Sequence, residues 1–305
     1  MTEHAGQNGE TARFRVSKPG HEVPAGAWDC HTHVFGPATA YPYAKGRSYT
    51  PPDALPEDAV AVMETLGIER FVLVQPSPYR ADNRRLLDAL DELGGRARGV
   101  VALEGSRPAA DELRAWRGRG VRALRINQAS GGAGARSPLE VIEEEARLAQ
   151  ALGWHVELHI EPQILPALAS LTGRLGVDLV LDHFGKLQIT DEGPPALQDE
   201  LLRALDTGRV WITLSGAYRV APPEQYRRGL ARLVHTLVRA NPERLIWASD
   251  WPHTPPHGKD ADRSGQVQPF RPIDPASLLD LLFEWVPDPD LQARILCHNP
   301  AKLYG

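Results

Sequence analysis

Residues 28–37, WDCHTHVFGP, hold Asp29, His31 and His33 at alternate positions. In an extended strand such positions share one face, so the two imidazoles are expected to project together, as in a metal or proton-transfer site. An HxH pair also occurs by chance on exposed strands, so the rest of the chain has to decide. WHVELHI repeats the spacing with His155, Glu157 and His159, LDHFGK places Asp182 beside His183, and ASDWPHTP carries Asp250. Taken singly, each has an ordinary explanation: a hydrogen-bonded core histidine, a turn-capping aspartate, a surface arginine with its stem packed down. Together they are the residue types that ligate a divalent ion or move protons.

The elements that would position them alternate regularly. Apolar β-type runs are predicted as strands at 27–34, 70–75, 98–103, 121–127, 154–160, 177–183, 210–215 and 244–249. Amphipathic helices are predicted at 53–66, 82–93, 109–118, 137–152, 162–173, 195–207, 223–240 and 275–285, with a short helix to close. Eight strands alternating with helices indicate a single α/β domain, a (β/α)8 barrel over residues 26–305, with residues 1–25 a flexible polar tail. A doubly wound open sheet would be expected to show a glycine-rich turn after its first strand. The one glycine-rich stretch, at 130–137, lacks GxGxxG spacing and reads as a βα loop.

In such barrels the chemistry lies where strands pass into βα loops. The polar residues at those ends are His31 and His33, then Gln75, Ser77 and Tyr79, then Arg125 and Asn127. His159, Asp182, His183, Ser215, Tyr218, Arg219 and Asp250 follow. The apolar face of 154–160 must cover helices, so its polar face is expected to look inward, where unpaired charge is costly. His253, His257 and His298 receive no role.

Composition narrows the function. The 305 residues carry a formal net charge of −5, without the basic footprint of a nucleic-acid binder. No apolar run reaches the roughly 18–20 residues of a membrane span, and the polar first residues are not those of a secretory signal. Two cysteines, Cys30 and Cys297, make no disulfide framework, so a reduced, cytoplasmic setting is expected.

The motifs DCHTHVFGP, VLVQPSPYRADNRRLLDAL, GVRALRIN, GWHVELHI, LVLDHFGK, LSGAYR, WASDWPHTP and HNPAKLYG span residues 27–304 in order. In this order the sequence resembles the amidohydrolase superfamily, specifically its amidohydrolase-2 branch. RSYTPPDA and QPSPY make it similar to the pyrone-dicarboxylate hydrolases and related lactonases. The resemblance implies water attack on a lactone carbonyl with Asp250 as general base. It also implies one divalent ion, zinc or manganese by ligand type, on His31, His33, His159 and Asp250. The bridging lysine or glutamate of two-metal members is absent, because Arg125 and Asn127 occupy that region. Pyrone-dicarboxylate hydrolases work without a metal and carry a tyrosine where His159 stands. A metal-free route, with His31, His33 and His183 donating to the oxyanion, is therefore the alternative.

Arg125 and Arg219, with Arg136 on the loop after the fourth strand, are the expected anchors for a carboxylate on a small-molecule lactone. Tyr49 and Ser77 would complete the grip, and residues 254–272 would form a lid. Two other readings share these features: a metal-dependent non-oxidative decarboxylase of an aromatic or enoic acid, and a non-catalytic small-molecule-binding barrel. Release of CO2 separates the first from a lactonase.

Overall fold

Each apolar run becomes a parallel strand: β1 Trp28–Thr32, β2 Arg70–Val74, β3 Ala97–Val101, β4 Val121–Asn127, β5 His155–His159, β6 Leu179–Leu181, β7 Val210–Leu214 and β8 Leu245–Trp247. The computed structural model describes residues 14–128, 137–190, 193–255 and 263–305. The strands pair in chain order into one eight-stranded parallel sheet, with helices including Pro56–Leu66, Arg84–Leu93, Pro138–Leu152 and Pro275–Trp285 between or after them. The sheet curls into a (β/α)8 barrel. Its seam is closed by a bridge between Thr32 and Trp251 and by backbone bonds from Asp250 N to His31 O at 3.1 Å and from His33 N to Trp251 O at 2.9 Å.

Two hydrophobic layers result. Outward residues such as Phe71, Leu73, Leu124, Leu158 and Leu181 join the helices in the main core. A second cluster fills the lower interior of the barrel: Trp28, Cys30, Val72, Val74, Val100, Ala123, Val180, Trp211, Ile246 and Ala248. Tyr304, from the closing helix Asn299–Tyr304, is inserted into this cluster. Above that layer the same inward faces turn polar.

The first strand departs from strict alternation. Asp29 pairs with Phe71 and Thr32 with Leu73, so β1 carries one extra residue across a bulge. An extra residue reverses which side chains face inward. Trp28 and Cys30 accordingly pack inside below the bulge, while His31 and His33 point inward above it. Asp29 does not share their environment, contrary to the expectation of a common face. Its Oδ1 accepts from the backbone of His31 at 3.1 Å and of Ser249 at 3.0 Å, pinning the β1–β8 seam. Burial pushes its carboxyl up to about 6 against those bonds.

Residues 14–25 of the segment read as a tail lie along the barrel. The ring of Phe14 meets Trp251 edge-on at 4.9 Å, and the backbone of Gly20 donates to Asp280 at 2.8 Å. The short pair Tyr49–Thr50 and Arg263–Val267 forms a separate parallel sheet that had no signature in the apolar pattern. Of residues 254–272, positions 256–262 lie outside the described residues, as does Arg136. Among the described residues no helix is long and apolar enough to cross a membrane.

Candidate active site

At the carboxyl ends of the strands a pocket is lined by His33, Tyr49, Ser77, Arg125, Asn127, His159, His183, Arg219, Asp250 and Thr254, with Pro76. His31 lies against this set, its ring centroid 5.0 Å from that of His33 and 5.2 Å from that of His183. The backbone is bent to present these groups. His183, Asp250 and His253 adopt φ of 51°, 63° and 66°, a left-handed conformation that costs a non-glycine residue about 1–2 kcal/mol. Three such residues at one mouth are a concentration of strain of the kind found at functional sites.

Histidine orientation follows from the acceptors beneath each ring. His33 Nδ1 is 2.7 Å from the carbonyl of Val74. A carbonyl only accepts, so Nδ1 carries the proton, and in the neutral ring Nε2 is a bare lone pair, 3.9 Å from Asp250 Oδ1. His31 Nδ1 lies 3.5 Å from Asp182 Oδ1, and His159 Nδ1 lies 3.6 Å from Asp182 Oδ2. One buried carboxylate thus turns two rings the same way. His183 differs, with Nδ1 2.8 Å from the hydroxyl of Ser215.

Charge states are set by burial and these neighbours. Burial holds His33 and His183 well below the ordinary imidazole value and His159 at about 4. His31 is the exception: burial opposes its charging, but Asp182 outweighs this and raises it. For Asp182, burial pushes upward, yet His31 and His159 hold the carboxyl well below its usual range. For Asp250, burial again pushes upward, but Arg219 first, then His183 and His31, keep it well below.

Asp250 divides its two oxygens. Oδ2 accepts from the Tyr218 hydroxyl at 2.6 Å and from Arg219 Nε at 2.5 Å. Oδ1 is buried with no hydrogen-bond partner. Behind Tyr218 stands His253, Nδ1 3.3 Å from the phenol oxygen.

The arginines stand in the pocket, but neither is unpaired. Arg125 Nη1 donates to Gln75 O at 2.6 Å, with Nη2 3.7 Å from Asp182. Arg219 holds Asp250 and also donates to Thr254 Oγ1 at 2.9 Å. Burial pushes the Tyr49 phenol up, partly offset by Arg219 and Arg125. Asp182, Ser215 and Tyr218 were visible as polar strand ends; their parts here, orienting two histidines, holding a third and gripping Asp250, had no sequence signal.

The donors fit a divalent cation. Ligand atoms of His31, His183 and Asp250 lie within 4.8 Å of one another, as do those of His159, Asp182 and His183. Nε2 of His31 and Oδ1 of Asp250 are buried without hydrogen-bond partners. His33 gives Nδ1–H to a carbonyl, and His31 and His159 turn Nδ1 toward the Asp182 carboxylate at 3.5 and 3.6 Å without a hydrogen bond. A ring with Nδ1 toward an acceptor and Nε2 toward the site has the usual orientation of a metal-ligating histidine.

The amidohydrolase family Amidohydro_2 matches residues 28–305. The chain is 37% identical over 295 residues to a 4-sulfomuconolactone hydrolase from Rhizobium radiobacter, covering 96% of this chain and 94% of that one. It is 33% identical to a 2-pyrone-4,6-dicarboxylate hydrolase from Comamonas testosteroni, over 94% and 93% of the two chains. Among solved structures it is similar to a putative 2-pyrone-4,6-dicarboxylic acid hydrolase from Pseudomonas putida, with TM-score 0.72, 29% identity and coverage of 93% and 98%. With a barrel of this topology, histidines and an aspartate at its mouth and a match over nearly the whole chain, the protein belongs to the amidohydrolase family.

Proposed function

We propose that the protein hydrolyses an anionic lactone, with Asp250 as the base that takes the proton from the attacking water. The observation that carries this reading is the asymmetry of Asp250. Two donors grip Oδ2 while Arg219, with His183 and His31, keeps the carboxyl ionised, so Oδ1 faces the pocket as a proton acceptor at neutral pH. The names of the relatives, lactone hydrolases acting on sulfonated or dicarboxylated rings, support the substrate class.

Water adds to the ring carbonyl as Asp250 takes one of its protons. The ring C–O bond breaks, the departing oxygen receives that proton, and the new carboxyl ionises, so each turnover releases one proton. His183, neutral and held by Ser215, can donate from Nε2 to the developing oxyanion when Nδ1 accepts from that hydroxyl. His33 in its neutral form cannot, because its pocket-facing nitrogen bears the lone pair. That leaves ligation as the natural role for His33. The resemblance assigns the ion to His31, His33, His159 and Asp250. Of these, His31 and Asp250 have ligand atoms that gather within 4.8 Å together with His183, and His159 gathers instead with Asp182 and His183. Zinc or manganese suits such ligands. A divalent ion bound there would polarise the carbonyl and lower the pKa of water. The two free cysteines accord with a reducing, cytoplasmic setting.

Arg125, Arg219, Tyr49 and Ser77 are assigned to the substrate anion, a carboxylate or sulfonate beyond the scissile ester; Arg136 keeps this assignment from sequence alone. The pocket arginines are already matched to Asp182 and Asp250, so the two have different expected effects. A lactone carboxylate should exceed its methyl ester in kcat/KM by at least about tenfold, the lower end for one charged hydrogen bond. Arg125→Met should remove most of that preference. Arg219→Met should slow both substrates, because it also releases Asp250. Acid release and CO2 are measured together. Equal kcat/KM for the charged and neutral lactones would end the anion assignment, and CO2 release would identify a decarboxylase instead.

A further inference from the structure

Glu157 is a buried carboxylate that this mechanism leaves without a role. It sits on β5 facing the barrel interior, 1% exposed, in register with Arg125 on one side and Val180 on the other. Apolar side chains from the other strands fill the interior beside it, and a carboxylate there is costly to bury unless its partners compensate. Its Oε1 accepts from the Tyr304 hydroxyl at 2.7 Å. Oε2 is buried with no hydrogen bond and lies 4.0 Å from His31 Nδ1. His155 Nε2 stands 3.7 Å from Oε1, beside the Tyr304 ring.

Tyr304 is itself firmly placed. Arg98 Nε donates to its carbonyl at 3.1 Å and Arg122 Nε donates to Gly305 O at 3.3 Å. Asn299, at the start of the same helix, donates to Leu245 O at 2.7 Å, at the base of β8. The helix therefore holds a phenol upright inside the barrel with its hydroxyl against Glu157.

We propose that Tyr304 and Glu157 are positioning residues for His31, so that the helix plugging one end of the barrel sets the orientation of a histidine at the other. Tyr304 fixes the carboxylate of Glu157 so that Oε2 faces His31 Nδ1. With Asp182 Oδ1 at 3.5 Å, two carboxylates then bracket that nitrogen, keep the proton on it, and present Nε2 to the pocket. Neither residue touches substrate. The kinetic part of this inference rests on the lactonase reading; the part concerning the His31 tautomer does not.

Tyr304→Phe removes one oxygen and keeps the ring that fills the barrel, and Glu157→Gln keeps the shape of the side chain. Histidine-selective ¹⁵N NMR, with the His31 signal identified by its loss in His31→Gln, reads the tautomer directly. Both variants should move the His31 nitrogens away from the wild-type Nδ1–H pattern. Both should lower kcat on an anionic lactone by about 10- to 100-fold with KM within twofold and a cooperative melt retained, the scale seen when residues supporting a metal-binding histidine are altered. A carboxylate that only anchors the helix would instead lower Tm and leave kcat and the His31 signals alone. His31 nitrogens unchanged in both variants, or unchanged kcat in both, overturns the proposal. If the wild-type protein opens no lactone, the function proposed above fails and the NMR result alone decides this one.

Discussion

The lower and upper halves of the barrel interior come from the same eight strands, two residues apart on most of them, and have opposite chemistry. Below, Val72, Val100, Ala123, Val180 and Ile246 pack against Trp211 and Tyr304 in a buried apolar cluster. Above, His31, His159, Asp182 and Asp250 leave buried nitrogens and oxygens without hydrogen bonds, on a backbone with left-handed residues at His183 and Asp250. The lower layer stabilises; the upper layer gives up stability for groups whose partners arrive with the reaction. Glu157 lies at the boundary, with apolar neighbours on one side and His31 on the other.

The largest expected effect on this contrast is at the mouth. Asp250→Asn retains the outline of the side chain but abolishes its proton acceptance, so kcat should fall roughly 10²–10⁴-fold. Steady-state kinetics on folded protein would test this. A variant with wild-type kcat would remove Asp250 as the base and leave the upper layer without its main functional argument.

Acid should act next most strongly. Burial holds His159 and His253 at about 4 in the folded protein, against about 6.5 when unfolded. Between those values the unfolded chain binds protons that the folded one does not. Stability is therefore fully present above pH ~6.5 and is lost as pH falls through ~4, on the order of 3 kcal/mol per histidine. Denaturant melts of chelated protein across this range measure it. A flat profile would mean that the mouth does not store the cost of burying neutral imidazoles. Metal loading should fall over the same acid range, because ligand histidines must be unprotonated.

The smallest effect is expected below. Ile246→Val, at a fully buried position of the apolar layer, should cost about 0.5–1.5 kcal/mol in stability and leave kcat within about twofold. A larger loss of kcat than of stability would show that the two halves are coupled through packing as well as through Glu157.

Much of the frame was legible because periodicity is a local property. The eight strands lie within two residues of their predicted limits, since each is an apolar run bounded by turn residues. His31, His33, His159, His183 and Asp250 could be selected because strand ends in such a barrel converge by topology alone. The partners were not legible. Asp182 serves His31 and His159 from a third strand, and Arg219 reads as a free guanidinium until Asp250 is seen 2.5 Å away. The bulge in β1 is invisible in the HxH pattern, because one extra residue leaves the spacing of the letters unchanged and reverses the face on which they fall.

By itself, the sequence determined the alternation of strands and helices, the class of barrel and which residue types could gather at its mouth, because these depend on side-chain period and chain order. Tertiary structure alone decided which nitrogen of each histidine faces the pocket, which oxygen of Asp250 is free, and that Tyr304 reaches Glu157 across 147 positions of chain. Such outcomes depend on distances of a few ångströms between groups on different strands, and hydrogen bonds and charge interactions become specific only at that range.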